Sequence, residues 1–148
     1  MIEDAYPYFP LGDNLFWGFR SEGIKGIIPK IVFFTLTKEG KWNLAFGDWK
    51  NNDVDDKVMS NNQDIVRVIG TVAKITDAFF DYYPDAIVVI KPVDEKRKRL
   101  YNIVFQRHYA FMKDKFQIDG LKNDLPELYS PKETYDIFEL SLKSKYRK

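Results

Sequence analysis

Apolar positions change their period along this chain, and the changes mark its elements. Phe16-Trp-Gly-Phe-Arg20 predicts a first strand, and Gly23-Ile-Lys-Gly26 a turn. Ile27–Thr37 (IIPKIVFFTLT) is β-branched and aromatic, which predicts a long strand. Pro29 cannot donate to a ladder, so it is expected at an edge, a bulge or the strand's start. Lys38-Glu-Gly-Lys41 reads as a hairpin turn. In Lys41–Asp48 the pattern alternates, with Trp42, Leu44 and Phe46 on one face and Asn43, Ala45 and Gly47 on the other. That is a half-buried antiparallel strand. An acidic loop over 48–56 and a brief strand over Lys57–Met59 follow.

The period then becomes helical. Ile65, Val68, Ile69, Val72, Ile75 and Phe79 share one face, and Arg67, Lys74, Asp77 and Asp81 the other. Ser60 and Gln63 have the spacing of a capping box, and Pro84 ends the helix. Ala86–Ile90 is apolar on both faces, as a central strand is. A second helix is predicted from about Asp94 to Met112, with Asp94 as cap and Leu100, Ile103, Val104 and Phe111 as its buried stripe. Phe116-Gln-Ile118 reads as a short strand, 125–128 as a loop, and Tyr135–Leu142 as an imperfectly alternating strand. The expected architecture is α+β, a mainly antiparallel β-sheet with two amphipathic helices packed on one face. The expected organisation is a single domain over 1–148, with a short N-terminal segment and a frayed basic tail, Lys143–Lys148.

Composition narrows the function classes. The chain has 148 residues, 45% hydrophobic and 30% charged, and its 12 Phe and 9 Tyr predict an aromatic core. A net charge of +1 supplies no global pull toward nucleic acid or membrane, so any such pull must come from local segregation. With no Cys there is no disulfide, thiolate catalysis or Cys-ligated metal. No apolar run approaches the ~20 residues of a membrane helix, and no basic start leads an apolar core, so a cytoplasmic protein is expected.

The chemistry-bearing residues concentrate in Lys91–Tyr101 (KPVDEKRKRLY). Four consecutive cations, Lys96–Arg99, open a helix whose N-terminus is already positive, which works against local stability. On the helical wheel Arg97, Tyr101 and His108 fall along one edge of the apolar stripe, while Lys98 and Arg99 project elsewhere. The trio reads either as a structural cluster, Arg97 pairing with an acid, or as a pocket for phosphate or carboxylate. Arg99 and Asp48 complete the candidate ligand-binding residues. Asp48 ends a strand beside Trp49, while Asp53, Asp55 and Asp56 lack the spacing of an EF-hand. Asn61 and Asn62 read as helix caps. No cofactor motif, metal-ligand set or nucleophile turn is present, so neither cofactor nor metal is expected.

The sequence favours a non-enzymatic binding module. A nucleic-acid partner is slightly preferred; it requires Arg97, Lys98, Arg99 and the basic tail on one surface. The alternative is a protein-interaction or homodimeric module, requiring an exposed apolar patch that includes Trp17, Trp42 or Trp49. A third reading, an enzyme, requires Arg97, Tyr101, His108 and a carboxylate such as Asp48 to converge.

The series Asn43–Asp48 (NLAFGD), Asp55-Asp56, Ser60-Asn-Asn62 with Asp64, Tyr83-Pro-Asp-Ala86 and Arg97-x-Arg99-Leu-Tyr101 resembles an uncharacterised bacterial family of small single-domain proteins. The resemblance spans about Phe16 to Leu121 and implies an α+β fold without an activity. Where it implies a Gly-Ser-Thr run before Arg97, this chain has Pro92-Val93-Asp94. Pro lacks an N–H and Asp brings negative charge, so an anion site at that turn is weakened here.

Overall fold

The computed structural model describes residues 4–50, 53–55 and 62–147, the side chains of 53–55 excepted. The fold is α+β, with mainly antiparallel strand pairing and two helices. The chain forms two compact units, Ile2–Thr35 with Leu44–Tyr82 and Leu36–Asn43 with Tyr83–Lys148.

In the first unit the strands β1 (Tyr8–Leu11), β2 (Asp13–Gly23), β3 (Gly26–Leu36) and β4 (Trp42–Lys50) follow in order, and β5 (Asp53–Asp55) pairs with β4. β2 and β3 meet at a two-residue turn, Ile24-Lys25, flanked by the pair Gly23↔Gly26, with Gly26 at φ +89°. Helix α1 (Ile65–Tyr82) covers one face of these strands. Trp17, Phe19, Val32 and Phe34 point inward and are buried with Val68, Val72, Ile75, Phe79 and Phe80 of α1. Phe34 and Phe79 stack with ring centroids 4.0 Å apart. Each such side chain contributes roughly 1.5–3 kcal/mol by leaving water.

In the second unit β4 contributes Trp42 and Asn43, which pair in parallel with β6 (Ile87–Ile90). β6 pairs with β9 (Ile137–Leu142), β9 with β7 (Phe116–Lys122), and β7 with β8 (Leu125–Leu128), all antiparallel. Helix α2 (Glu95–Met112) lays Phe105 flat on Phe138, centroids 4.1 Å apart, and Tyr109 against Tyr129 at 5.0 Å. Tyr135 is fully buried and lies so close to Gly120 that any side chain there would overlap its ring. Asn102 binds the Tyr135 backbone in both directions: its Oδ1 accepts from Tyr135 N at 2.8 Å and its Nδ2 donates to Tyr135 O at 2.9 Å.

Several expectations are corrected. Strands β1, β5 and β8 lie where the hydrophobic pattern predicts no strand, and β2 and β7 are longer than predicted. Pro29 sits inside β3, opposite Arg20, near the hairpin end rather than at an edge or the strand's start. The buried face of α2 is rotated from the predicted stripe: Arg97 and Phe105 are buried, whereas Ile103 and Phe111 are exposed. Stacking on Tyr129 and Phe138 and the Asn102 amide pair decide that rotation. Gln63 precedes α1 at φ +57° instead of sitting in its first turn, and Asp64 O accepts the first helical bond, from Val68 N. Ser60 and Asn61, Lys57–Met59 and Asp56 lie outside the described residues. The basic tail contains a 3-10 turn, Ser144–Tyr146.

Candidate interaction surfaces

The cations that open α2 are dispersed by their own neighbours. Asp94 is the N-cap, in extended backbone (φ −154°, ψ 172°); its Oδ1 accepts from Arg97 N at 2.8 Å. Its Oδ2 meets Arg97 Nη1 at 3.2 Å, and Arg97 is only 7% exposed. Lys98 Nζ pairs with Asp136 Oδ1 at 2.7 Å. That contact raises the Lys98 pKa and lowers that of Asp136, which also accepts from Asn123 N. Lys96 and Arg99 are exposed. The negative charges of Asp94 and Glu95 thus stand where the helix dipole favours them, and offset the run that follows.

Arg97 and Tyr101 are neighbours. Burial pushes the Tyr101 hydroxyl up to about 12, against an opposing pull from Arg97. His108 stands roughly 10 Å further along the helix, half-buried, and burial lowers its pKa with Arg107 adding to the effect. Beside α2 runs an open groove of about 320 Å³, lined among others by Glu95, Lys98, Arg99, Ile103, Lys132 and Glu133. It mixes both signs, and Arg97, Tyr101 and His108 are not among its lining residues. The tail is anchored beyond the other end of α2, where Lys143 N donates to Lys115 O and Arg147 Nε donates to Leu142 O. Lys96–Arg99 sit in the first turn of the 18-residue helix, so roughly 20–24 Å of it lie between them and that anchor.

Asp48 belongs to the first unit and is fully buried. Its Oδ1 lies 2.5 Å from Nζ of Lys30, which is buried on the adjacent strand, and its Oδ2 lies 3.9 Å from Lys50 Nζ. Two charges sealed from water are held by each other, so this aspartate is occupied structurally. Among the described residues no group of three or more His, Cys, Asp or Glu side chains is arranged to hold a metal.

A second polar centre of the first unit was not evident from the hydrophobic pattern. Asp64 Oδ2 accepts from Tyr6 OH at 2.6 Å and Ser21 Oγ at 2.5 Å. Asn62 Nδ2 donates to Ser21 Oγ and to Gly26 O, and its Oδ1 accepts from Lys25 N. Asn62 therefore clamps the β2–β3 turn rather than capping α1. Gly23 must be glycine here, because a Cβ would overlap Asn62 O. The one signal for this centre is the Asn-x-Asp spacing of 62 and 64.

The sheet face of the first unit opposite α1 is different in character. Strand parity puts Phe16, Gly18, Arg20 and Glu22 of β2 there, across from Phe33, Ile31, Pro29 and Ile27 of β3. Phe9 and Leu11 of β1 lean over Gly18, and Phe16 stacks on Phe33 with centroids 6.0 Å apart. Trp49, next to the inward Asp48, falls on this outer side. Phe9, Leu11, Phe16, Ile27 and Trp49 are 46%, 44%, 41%, 59% and 40% exposed. Of the other tryptophans, Trp17 is buried in the core and Trp42 is half-buried against Tyr83.

The model of a family of unknown function, DUF6934, matches residues 3–143. The chain belongs to this family. No curated protein and no solved structure matches it. Membership agrees with the resemblance carried by the short motifs and brings no activity with it. Several of those motif residues hold the fold: Asn62 clamps the β2–β3 turn, Asp64 accepts from Tyr6 and Ser21, Ala86 N closes the turn after α1 onto Tyr83 O, and Arg97 is tied to Asp94. No helix among the described residues is long and apolar enough to cross a membrane.

Proposed function

We propose that the protein is a non-enzymatic interaction module that docks a protein surface through the outer face of β1–β4. The observation that carries this reading is the set of half-exposed aromatic and aliphatic side chains on that face, Phe9, Leu11, Phe16, Ile27 and Trp49. Side chains of roughly 150–250 Å² each, exposed to this degree, leave a few hundred Å² of apolar surface, the scale at which patches on monomers are often functional. Interface cores are enriched in aromatic residues, and Phe9, Phe16 and Trp49 supply them here, with the exposed Arg20 and Glu22 beside them on the same face. A nucleic-acid face at α2 has less support, because Arg97 is tied to Asp94, Lys98 to Asp136, and the tail is anchored beyond the helix's other end.

Photo-crosslinking tests the reading. A benzophenone amino acid is placed at Phe16 or, separately, at Arg99 in the full chain, and adducts are collected from living cells. Protein adducts at position 16 that disappear with Leu11→Asp are expected. Nucleic-acid adducts at position 99, with no protein adduct at 16, would overturn it.

A further inference from the structure

We infer that the C-terminal end of α2 and the tail packed beside it form a second interaction surface, one that binds a single-stranded nucleic acid through its phosphates. This surface lies in the second unit and shares no residue with the outer face of β1–β4, so it stands or falls independently of the docking reading above.

A backbone contact builds it. Lys143 N donates to Lys115 O at 2.9 Å, which sets the residue after β9 beside the residue before β7. The tail then closes its 3-10 turn, with Tyr146 N donating to Lys143 O, and Arg147 Nε donates back to Leu142 O at 2.8 Å. The stretches joined this way read Lys113-Asp-Lys115 and Lys143-Ser-Lys-Tyr-Arg147, five cations against one carboxylate. The rest of the chain carries more carboxylates than cations. A net charge of +1 therefore conceals a local excess, and a local excess is what attracts a polyanion.

These cations differ from those that open α2, where Asp94 holds Arg97 and Asp136 holds Lys98. Lys113, Lys143, Lys145 and Arg147 are exposed, and none has an ion-pair partner among the described residues. The helix dipole gives Lys113 and Lys115 a structural role at the end of α2, but it does not account for the tail. Aromatic rings are interleaved with the charges. Lys113 Nζ lies 6.0 Å from the Tyr109 ring centroid and Lys145 Nζ 5.2 Å from that of Tyr146, which is 40% exposed. Cations that track the backbone, beside an exposed ring on which a base stacks, are the means by which proteins hold single strands. A membrane surface is held instead by cations together with inserted apolar side chains. The two stretches contain no apolar side chain except Tyr146. Phe111 stands two positions before Lys113, roughly 200° around the helix, and lies outside the surface.

Fluorescence anisotropy of labelled oligothymidylate and oligouridylate, titrated with the full chain, tests the inference. Binding with a Kd of about 1–100 µM at physiological salt is expected. Four phosphate contacts on a single strand predict a slope of log K against log salt of about −3. Lys145→Glu should weaken binding about tenfold and flatten that slope. Tyr146→Ala should weaken it about tenfold with the slope kept, because a stacked base releases no counterion. Lys96→Glu and Arg99→Glu make the same charge change at the other end of α2 and should leave binding unchanged. Lys145 is exposed, so its variant keeps the fold even where a change at Arg147 would loosen the tail. No binding at roughly 50 mM salt and a few hundred micromolar protein would overturn the inference. So would equal losses from variants at the two ends of α2, or vesicles of phosphatidylserine holding the chain more tightly than either oligonucleotide.

Discussion

The two units bury polar groups beneath similar aromatic layers, but they bury different kinds. The first seals an ion pair, Lys30 with Asp48, and hangs the start of α1 on the Asp64 carboxylate. The second uses neutral amides, with Asn102 bridging α2 to the Tyr135 backbone, and keeps a buried cation, Arg97, at the helix start against the half-exposed Asp94. The difference lies in what breaking each contact leaves behind. A stranded charge inside a sheet costs far more than a stranded amide, and an exposed cap costs less than either.

Substitutions should therefore rank in that order. Asp48→Asn leaves Lys30 buried opposite a neutral amide, and urea unfolding should show a loss of about 3–5 kcal/mol. The double variant Lys30→Met with Asp48→Leu should recover most of it; a single variant as stable as wild type would show that the charges are not sealed. Asn102→Ala strands Tyr135 N and O, with an expected loss of about 1–3 kcal/mol by the same measurement. Asp94→Ala removes the cap and the partner of Arg97, and about 0.5–2 kcal/mol is expected.

The remaining effects emerge only when the pH is moved. Tyr101 and Tyr129 keep their protons to about 12 because burial disfavours the phenolate, whereas unfolded tyrosine ionises near 10. Their contribution is complete below pH 10 and is lost as pH rises through 12. Burial raises Tyr6 and Tyr135 as well, so alkaline absorbance titration should show a late-ionising group of tyrosines, and Tyr101→Phe should remove one of them. His108 works in the opposite direction: its lowered pKa means that stability is present above about 6.5 and declines as pH falls below it. His108→Gln should flatten that acid limb.

How much was readable from the sequence follows from how local each signal is. Helix α1, the β3–β4 hairpin and the Asp94 cap depend on residues a few positions apart, and all three stand in the structure. The Lys30–Asp48 pair was within reach too, because the hairpin closed at Thr37 and Lys41 sets these two residues opposite each other. Strands β1 and β8 were hidden for a physical reason. Each is short and exposed throughout, and each contains a proline, Pro10 or Pro126, so neither alternation nor propensity marks it. The face of α2 was misjudged because its burial is decided by Asn102 and Phe105 meeting Tyr135 and Phe138, about thirty positions away, which no helical wheel contains. The basic run looked like a binding face because sequence counts cations but not their partners. Asp136, the partner of Lys98, lies in a different element. The outer sheet face was foreseen only as an apolar patch containing a tryptophan; which of the three it was required strand parity.

Hydroxyl-radical footprinting compares the two regions directly, side chain by side chain, in dilute purified protein and inside intact cells. Phe9, Phe16 and Trp49 should be oxidised in the dilute protein and protected in cells, while Phe111, 49% exposed on α2, should be oxidised in both. Equal labelling of Phe9, Phe16 and Trp49 in the two settings, with protection instead at Phe111 and its neighbours on α2, would contradict the account.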